Sequence, residues 1–130
     1  MPVGKYNHSI TGKEKSIITS GGVSDQLLLK SAEEYKTYWG KWQSLPNMNH
    51  KRRHHASCIV NKVLFCFFGT EINTIEYLKF DTHLDWTDIK FEFDKPKMMP
   101  IFAVPFKDEI LVFTKNNAGL LTFELGGKFK

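Results

Sequence analysis

A repeat of strand and turn signals constrains this chain more than any other feature. Short runs of apolar and β-branched residues, each bounded by turn chemistry, occur in the same order three times, the last copy shorter than the others. In the first copy, residues 8–11 lead into a Gly12-Lys13-Glu14 turn and residues 16–20 run into Gly21-Gly22. Residues 26–29 follow, and after an acidic stretch come Tyr35, Tyr38, Trp39 and Trp42. The second copy reads 56–60, a turn at Asn61-Lys62, 63–68, a break at Gly69-Thr70, 74–80, a turn over 82–85, then Trp86. The third reads 102–106, Lys107-Asp108, 109–114, Asn116-Asn117, 120–125, Gly126-Gly127 and Phe129. Gly21, Gly69 and Asn116 are 48 and 47 residues apart; Tyr35, Phe80 and Phe123 are 45 and 43 apart; Trp42, Trp86 and Phe129 are 44 and 43 apart. Three independent markers thus share a period of about 45 residues.

Composition agrees with strands. Apolar residues make up 42% of the 130 and aromatics 14%, and many of the aromatics fall in short alternating runs. Residues 74–80 alternate, with Thr74, Glu76, Leu78 and Phe80 on one side and Ile75, Tyr77 and Lys79 on the other. A helix competes only over residues 27–38, LLLKSAEEYKTY. A chain of this length is expected to build one modest core. If Asn61-Lys62 is a two-residue hairpin turn, Cys58 lies opposite Phe65 and Cys66 opposite Ser57, so the two sulfurs fall on opposite faces and do not pair.

The 18 basic and 14 acidic residues are interspersed, giving a net charge of +4, which argues against nucleic acid as the expected partner. The first ten residues contain Lys5, Asn7 and His8 and so lack the apolar core of a secretory signal. The longest apolar run is residues 63–68, too short to cross a membrane. A cytoplasmic protein with no membrane span is the expectation.

These residues together resemble kelch-repeat proteins. In that family a strand ends in a Gly pair, an acidic-aromatic strand follows, a Trp stands about seven residues past a Tyr, and a short link with Arg or His precedes the next unit. The first copy supplies Ser16-Ile17-Ile18-Thr19-Ser20-Gly21-Gly22, Tyr35, Trp42, Leu45-Pro46-Asn47-Met48 and Arg53-His54-His55. The second supplies Leu64-Phe65-Cys66-Phe67-Phe68-Gly69, Ile75-Glu76-Tyr77, Phe80-Asp81 and Trp86-Thr87-Asp88-Ile89. The implied fold is all-β, a partial kelch-type β-propeller of successive four-stranded antiparallel blades. The whole chain, 1–130, is one such segment, with blade 1 about 1–49, blade 2 about 50–95 and an incomplete blade 3 about 96–130. Gly21, Gly22 and Gly69 then permit positive φ where the chain leaves a strand. Tyr35 and Phe80, with Trp42 and Trp86, fill the space between blades, and Phe123 and Phe129 stand at the corresponding motif positions of the third copy. The chain departs from the family at Gly69-Thr70 and Asn116-Asn117, where a Gly pair is expected, at Phe129, where Trp is expected, and at Pro100, where the earlier link has Arg53.

The resemblance implies a non-catalytic interaction or scaffold module, a structural subunit or adaptor in a larger intracellular assembly, with cytoskeletal association among the family's roles. A fragment of a ubiquitin-ligase substrate receptor is a second implication, and the residues themselves suggest a basic-patch binder of nucleic acid or phosphate as a third. Family members close rings of about six blades, twice this length. The open edges are therefore expected to be covered by a partner chain, by self-association or by residues outside this sequence. The candidate partner-binding residues are Asn47, Asn49, Lys51, Arg52, Arg53 and His54 in the first link and Asn116 and Asn117 in the third break.

No catalytic set, metal site or cofactor is expected. His54, His55 and Cys58 fit no zinc spacing. Ser57 and Cys58 lie near those histidines in sequence without a third group to orient them. Copper-oxidase chemistry, known in some kelch propellers, needs ligands converging at the centre of a closed ring.

Overall fold

Tight turns with positive φ set the register of each sheet. In the first sheet, β1 (Ser9–Lys13) and β2 (Ser16–Ser20) form a hairpin in which Ser9 faces Ser20 and Lys13 faces Ser16. Beyond β2, Gly21 and Gly22 take φ of 61° and 98° and turn the chain out of the sheet. The excursion is a small hairpin of β3 (Val23–Ser24) and β4 (Leu27–Leu28) around Asp25 and Gln26, whose φ of 48° and 64° suit a tight reversal. It closes where the Leu29 N–H donates to the Gly22 carbonyl at 2.8 Å. The chain then re-enters the sheet as β5 (Ala32–Lys36) against β2, and β6 (Lys41–Leu45) follows on β5. Of residues 26–29, expected as a strand of the first unit, Leu27 and Leu28 thus belong to a separate two-stranded sheet, and β5 and β6 complete the order β1-β2-β5-β6.

The second sheet is a simple meander of β7 (Ala56–Val60), β8 (Val63–Phe67), β9 (Ile75–Lys79) and β10 (Thr87–Ile89). Asn61 and Lys62 take φ of 49° and 63°, as a two-residue hairpin turn requires. The expected pairing follows: Cys58 faces Phe65 and Ser57 faces Cys66. The third sheet repeats the meander with β11 (Pro100–Phe106), β12 (Glu109–Thr114), β13 (Leu120–Glu124) and β14 (Lys128–Phe129). These elements come from a computed structural model that describes residues 4–80, 85–89, 100–115, 120–124 and 128–129. The protein is all-β and antiparallel, and among the described residues there is no helix, hence none long and apolar enough to cross a membrane.

The repeat in space differs by one or two residues from the repeat in sequence markers. Strands β1 and β2 begin 47 residues before β7 and β8, and β5 begins 43 before β9. The counterpart of Gly21 is therefore Phe68, which shares its left-handed backbone at φ 56°, and Gly69, at φ 136°, matches Gly22. By the 43-residue offset between β5 and β9, Leu78 rather than Phe80 stands where Tyr35 stands in the first unit.

The sheets stack through two apolar layers, where one core was expected. Ile18, Ala32, Leu45 and Met48 from the first sheet and its exit pack on Leu64, Cys66, Leu78, Phe80 and Trp86. On the opposite face of the second sheet, Cys58, Phe65, Phe67 and Ile75 pack on Ala103, Ile110, Val112, Leu121 and Phe123 of the third. The second sheet is buried on both sides, and that is why residues 63–68 read as a continuous apolar run. The opening strands β1, β7 and β11 lie side by side, with the Ser9 and Ser57 hydroxyls hydrogen-bonded between the first two. Phe80 and Trp86 pack between the first and second sheets and Phe123 between the second and third, and the Trp86 indole donates to the Pro46 carbonyl at 2.7 Å. Tyr35 and Trp42 do not pack between sheets. They pair with each other, ring centroids 5.1 Å apart, and remain partly exposed because, among the described residues, no sheet covers the far face of the first sheet.

Candidate functional site

The basic cluster lies in the link between β6 and β7, and that link is built into the protein at several points. Met48 is buried in the layer between the first two sheets. The Arg52 N–H donates to the Leu29 carbonyl at 3.0 Å and the Arg52 carbonyl accepts from Gly22 at 2.7 Å. The His54 N–H reaches the Asn7 carbonyl and the Arg53 carbonyl accepts from Thr70, each at 3.0 Å.

Arg52 was expected to face a partner. Its side chain is 0% exposed and points back into the second sheet. Nε and a terminal nitrogen donate to Glu76 Oε2 at 3.0 and 2.8 Å. The other terminal nitrogen donates to the Phe68 and Thr74 carbonyls at 2.9 and 2.8 Å, and a further bond at 2.9 Å reaches the Thr74 hydroxyl. All five guanidinium N–H groups are thereby used. Glu76, also 0% exposed, accepts in addition from the backbone N–H groups of Asn49 at 2.6 Å and His50 at 3.3 Å. An arginine planned for the surface is thus one half of a buried, fully hydrogen-bonded ion pair, the form in which a charge can stay inside a protein. Sequence reasoning missed Glu76 as its partner. The available signal was an acidic residue on the same side of the strand as Leu78 and Phe80, where a buried carboxylate needs a cation.

The other link residues divide. Asn49 is committed to the second sheet: its side-chain amide donates to the Trp86 carbonyl at 3.1 Å and to Asp88 at 3.2 Å. His50 lies 3.1 Å from the same carboxylate. Partial burial pushes the Asp88 carboxyl up, but the bonds from Asn49 and His50 and the charges of His50 and Arg52 outweigh this and hold it below its ordinary value. Asn47, Lys51 and His54 are exposed and Arg53 is half-buried. Asn116 and Asn117 lie outside the described residues, and of Phe129 only the backbone pairing with Phe123 is described.

Two arrangements invite a chemical reading. Ligand atoms of His50, Glu76 and Asp88 lie within 4.8 Å of one another. Both Glu76 oxygens, however, already accept hydrogen bonds, Oε2 from the Arg52 guanidinium among them, so the carboxylate is already neutralised. The second is His55 Nε2, 2.9 Å from the Ser20 hydroxyl, which in turn contacts the Cys66 thiol at 3.6 Å. Burial first, then the charge of Arg52, pushes His55 down to about 3, and its Nδ1 has no hydrogen-bond partner. A buried neutral imidazole whose Nδ1 finds no orienting partner among the described residues is a poor general base. Burial also pushes the Cys58 and Cys66 thiols up to about 12, which keeps both protonated. Ser57 is hydrogen-bonded to Ser9 rather than to a histidine.

Among the described residues, exposed apolar side chains gather on the outer faces at the two ends of the stack. On the far face of the third sheet, Phe102 is 48% and Leu120 50% exposed, Val104 is also exposed, and Phe102 stacks on Phe113 with centroids 4.6 Å apart. The register places Phe102 beside Phe113 and Leu120, and Val104 beside Leu111, so these residues form one continuous face. On the far face of the first sheet, Ile10 is 61% exposed and lies with Ile17, Tyr35 and Trp42 on one side of β1, β2, β5 and β6. At the β5–β6 turn, Tyr38 and Trp39 are exposed edge to face, with Lys36 Nζ 4.5 Å above the Trp39 ring.

No protein-family model matches the chain, and no curated protein matches it.

Proposed function

We propose that this chain is a non-catalytic protein-interaction module, an open segment of a kelch-type propeller in which the three sheets are successive blades. The observation that carries the reading is the open face of Phe102, Val104, Leu111, Phe113 and Leu120, a contiguous apolar surface of the kind that marks an interaction site. Three successive four-stranded antiparallel sheets with their opening strands side by side support the propeller part. The role as a subunit or adaptor in a larger intracellular assembly is part of the same proposal, and so is partner contact through blade-connecting loops at Asn47, Lys51 and His54.

The basic-patch reading loses its central residue, since Arg52 is enclosed and neutralised by Glu76. The test is to recover the chain from its native source under mild conditions and compare two variants, Val104→Lys on the open face and Lys51→Ala in the link. The expected result is a bound protein that is lost from Val104→Lys. Retention of the partner by Val104→Lys, or steeply salt-dependent binding to nucleic acid that Lys51→Ala abolishes, overturns the proposal.

A further inference from the structure

The way the sheets stack specifies what would cover the open faces. Ile18, Phe65 and Leu111 are each the third residue of an equivalent strand, β2, β8 and β12, and so mark one equivalent face, here called the rear. Ile17, Leu64 and Ile110 are the second residues of the same strands and mark the front. Ile18 on the rear of the first sheet packs in the same layer as Leu64 on the front of the second. Phe65 on the rear of the second packs with Ile110 on the front of the third. The same contact, rear on front, is therefore made twice within the chain. It leaves one unused rear, on the third sheet, and one unused front, on the first.

We infer that a second copy of this chain covers both faces, the front of its first sheet on the rear of the third sheet and the reverse at the other end. This rests on the propeller reading proposed above. The two unused faces are complementary because they are the two sides of an interface the chain already makes. A rear-on-front contact is heterologous, and such contacts either close a ring or grow without limit. Propellers close with about four to eight blades, and two copies of the three described four-stranded sheets bring six together, within that range. The expected assembly is a two-fold dimer with two equivalent contacts and no uncovered apolar face.

The test uses the full chain and variants facing outward at each end: Val104→Lys on the rear and Ile17→Lys on the front. Sedimentation velocity is expected to show a species of twice the 15.1 kDa chain mass. Each variant alone is expected to weaken the dimer at least about tenfold, since it places a charge in both contacts. An equimolar mixture of the two variants is expected to recover association, because one of the two contacts then joins unaltered faces. Leu120→Lys and Ile10→Lys serve as a second pair if either first variant loses its β circular dichroism. A wild-type chain that stays monomeric, a dimer indifferent to both faces, variants that do not complement, or unlimited growth overturns the inference. A monomer with an intact β spectrum leaves the interaction-module reading standing with another partner, and a helical spectrum removes the propeller reading itself.

Discussion

Replacing Arg52 by methionine keeps an unbranched apolar stem in the link and removes the guanidinium. The loss then falls on defined groups. Glu76 stays buried with only the Asn49 and His50 backbone N–H groups, and the Phe68 and Thr74 carbonyls and the Thr74 hydroxyl each lose a charged donor. Breaking a buried ion pair by removing one member costs about 3–5 kcal/mol, against a total stability of about 5–15 kcal/mol for a domain. With a urea slope of about 1–3 kcal/mol per molar, the unfolding midpoint is expected to fall by about 1 M or more. Arg52→Lys is expected to rescue only part of this, because three rotatable donors cannot reproduce five fixed ones. The double variant Arg52→Met with Glu76→Leu is expected to be more stable than the sum of the single losses requires, since neither charge is then stranded. Raising the salt concentration should leave the wild-type contribution nearly unchanged, as buried pairs are weakly screened. A midpoint shift for Arg52→Met within experimental error, or strict additivity in the double variant, refutes the claim that this pair fastens the link to the second sheet.

Gly21→Ala is expected to lose more than about 2 kcal/mol in chemical denaturation, since its Cβ would stand 2.4 Å from the Arg52 carbonyl oxygen at a φ of +61°. Gly40→Ala, at φ +63° with nothing nearer than the Tyr35 hydroxyl at 3.8 Å, should stay within the left-handed backbone cost of about 1–2 kcal/mol, and equal losses at the two sites would contradict the crowding argument. Trp86→Ala is expected to cost about 3–5 kcal/mol, while Trp39→Ala at the exposed turn should leave the melting temperature nearly unchanged. For His55 the folded pKa lies below the ordinary 6.5, at about 3, so the unfolded chain binds the extra proton between these values. Stability should hold above pH 6.5 and fall toward pH 3 with a slope of up to about 1.4 kcal/mol per unit; a His55→Asn variant with an unchanged slope would sink this assignment. Cys58 and Cys66 should resist a thiol reagent until the protein unfolds, and rapid native labelling would show that they are not enclosed.

What the sequence revealed and what it hid follow from the range of the interactions involved. The Cys58–Phe65 and Ser57–Cys66 pairings were legible because a two-residue turn at Asn61-Lys62 fixes the register within the hairpin. The fate of residues 26–29 was not, because Leu27 and Leu28 have strand-like content and only the turn at Gly21-Gly22 decides which sheet they join. Arg52 and Arg53 are adjacent and chemically identical. Which of them enters the core is decided by the path of the link and by a carboxylate 24 residues away, neither of which local pattern encodes.

The marker error has a related cause. Gly69 looks like the counterpart of Gly21, yet the left-handed residue at that point of the second unit is Phe68, whose carbonyl accepts from Arg52 and whose ring is enclosed between the second and third sheets. Packing and a charged hydrogen bond hold there a backbone conformation that glycine adopts freely in the first unit. The two units therefore share a backbone geometry at this point while carrying different residue types. It follows that equivalence between units is better judged by which face a residue occupies than by which letter it carries. Judged that way, Phe102, Val104 and Leu120 lie on the same rear surface that is buried twice elsewhere in the chain.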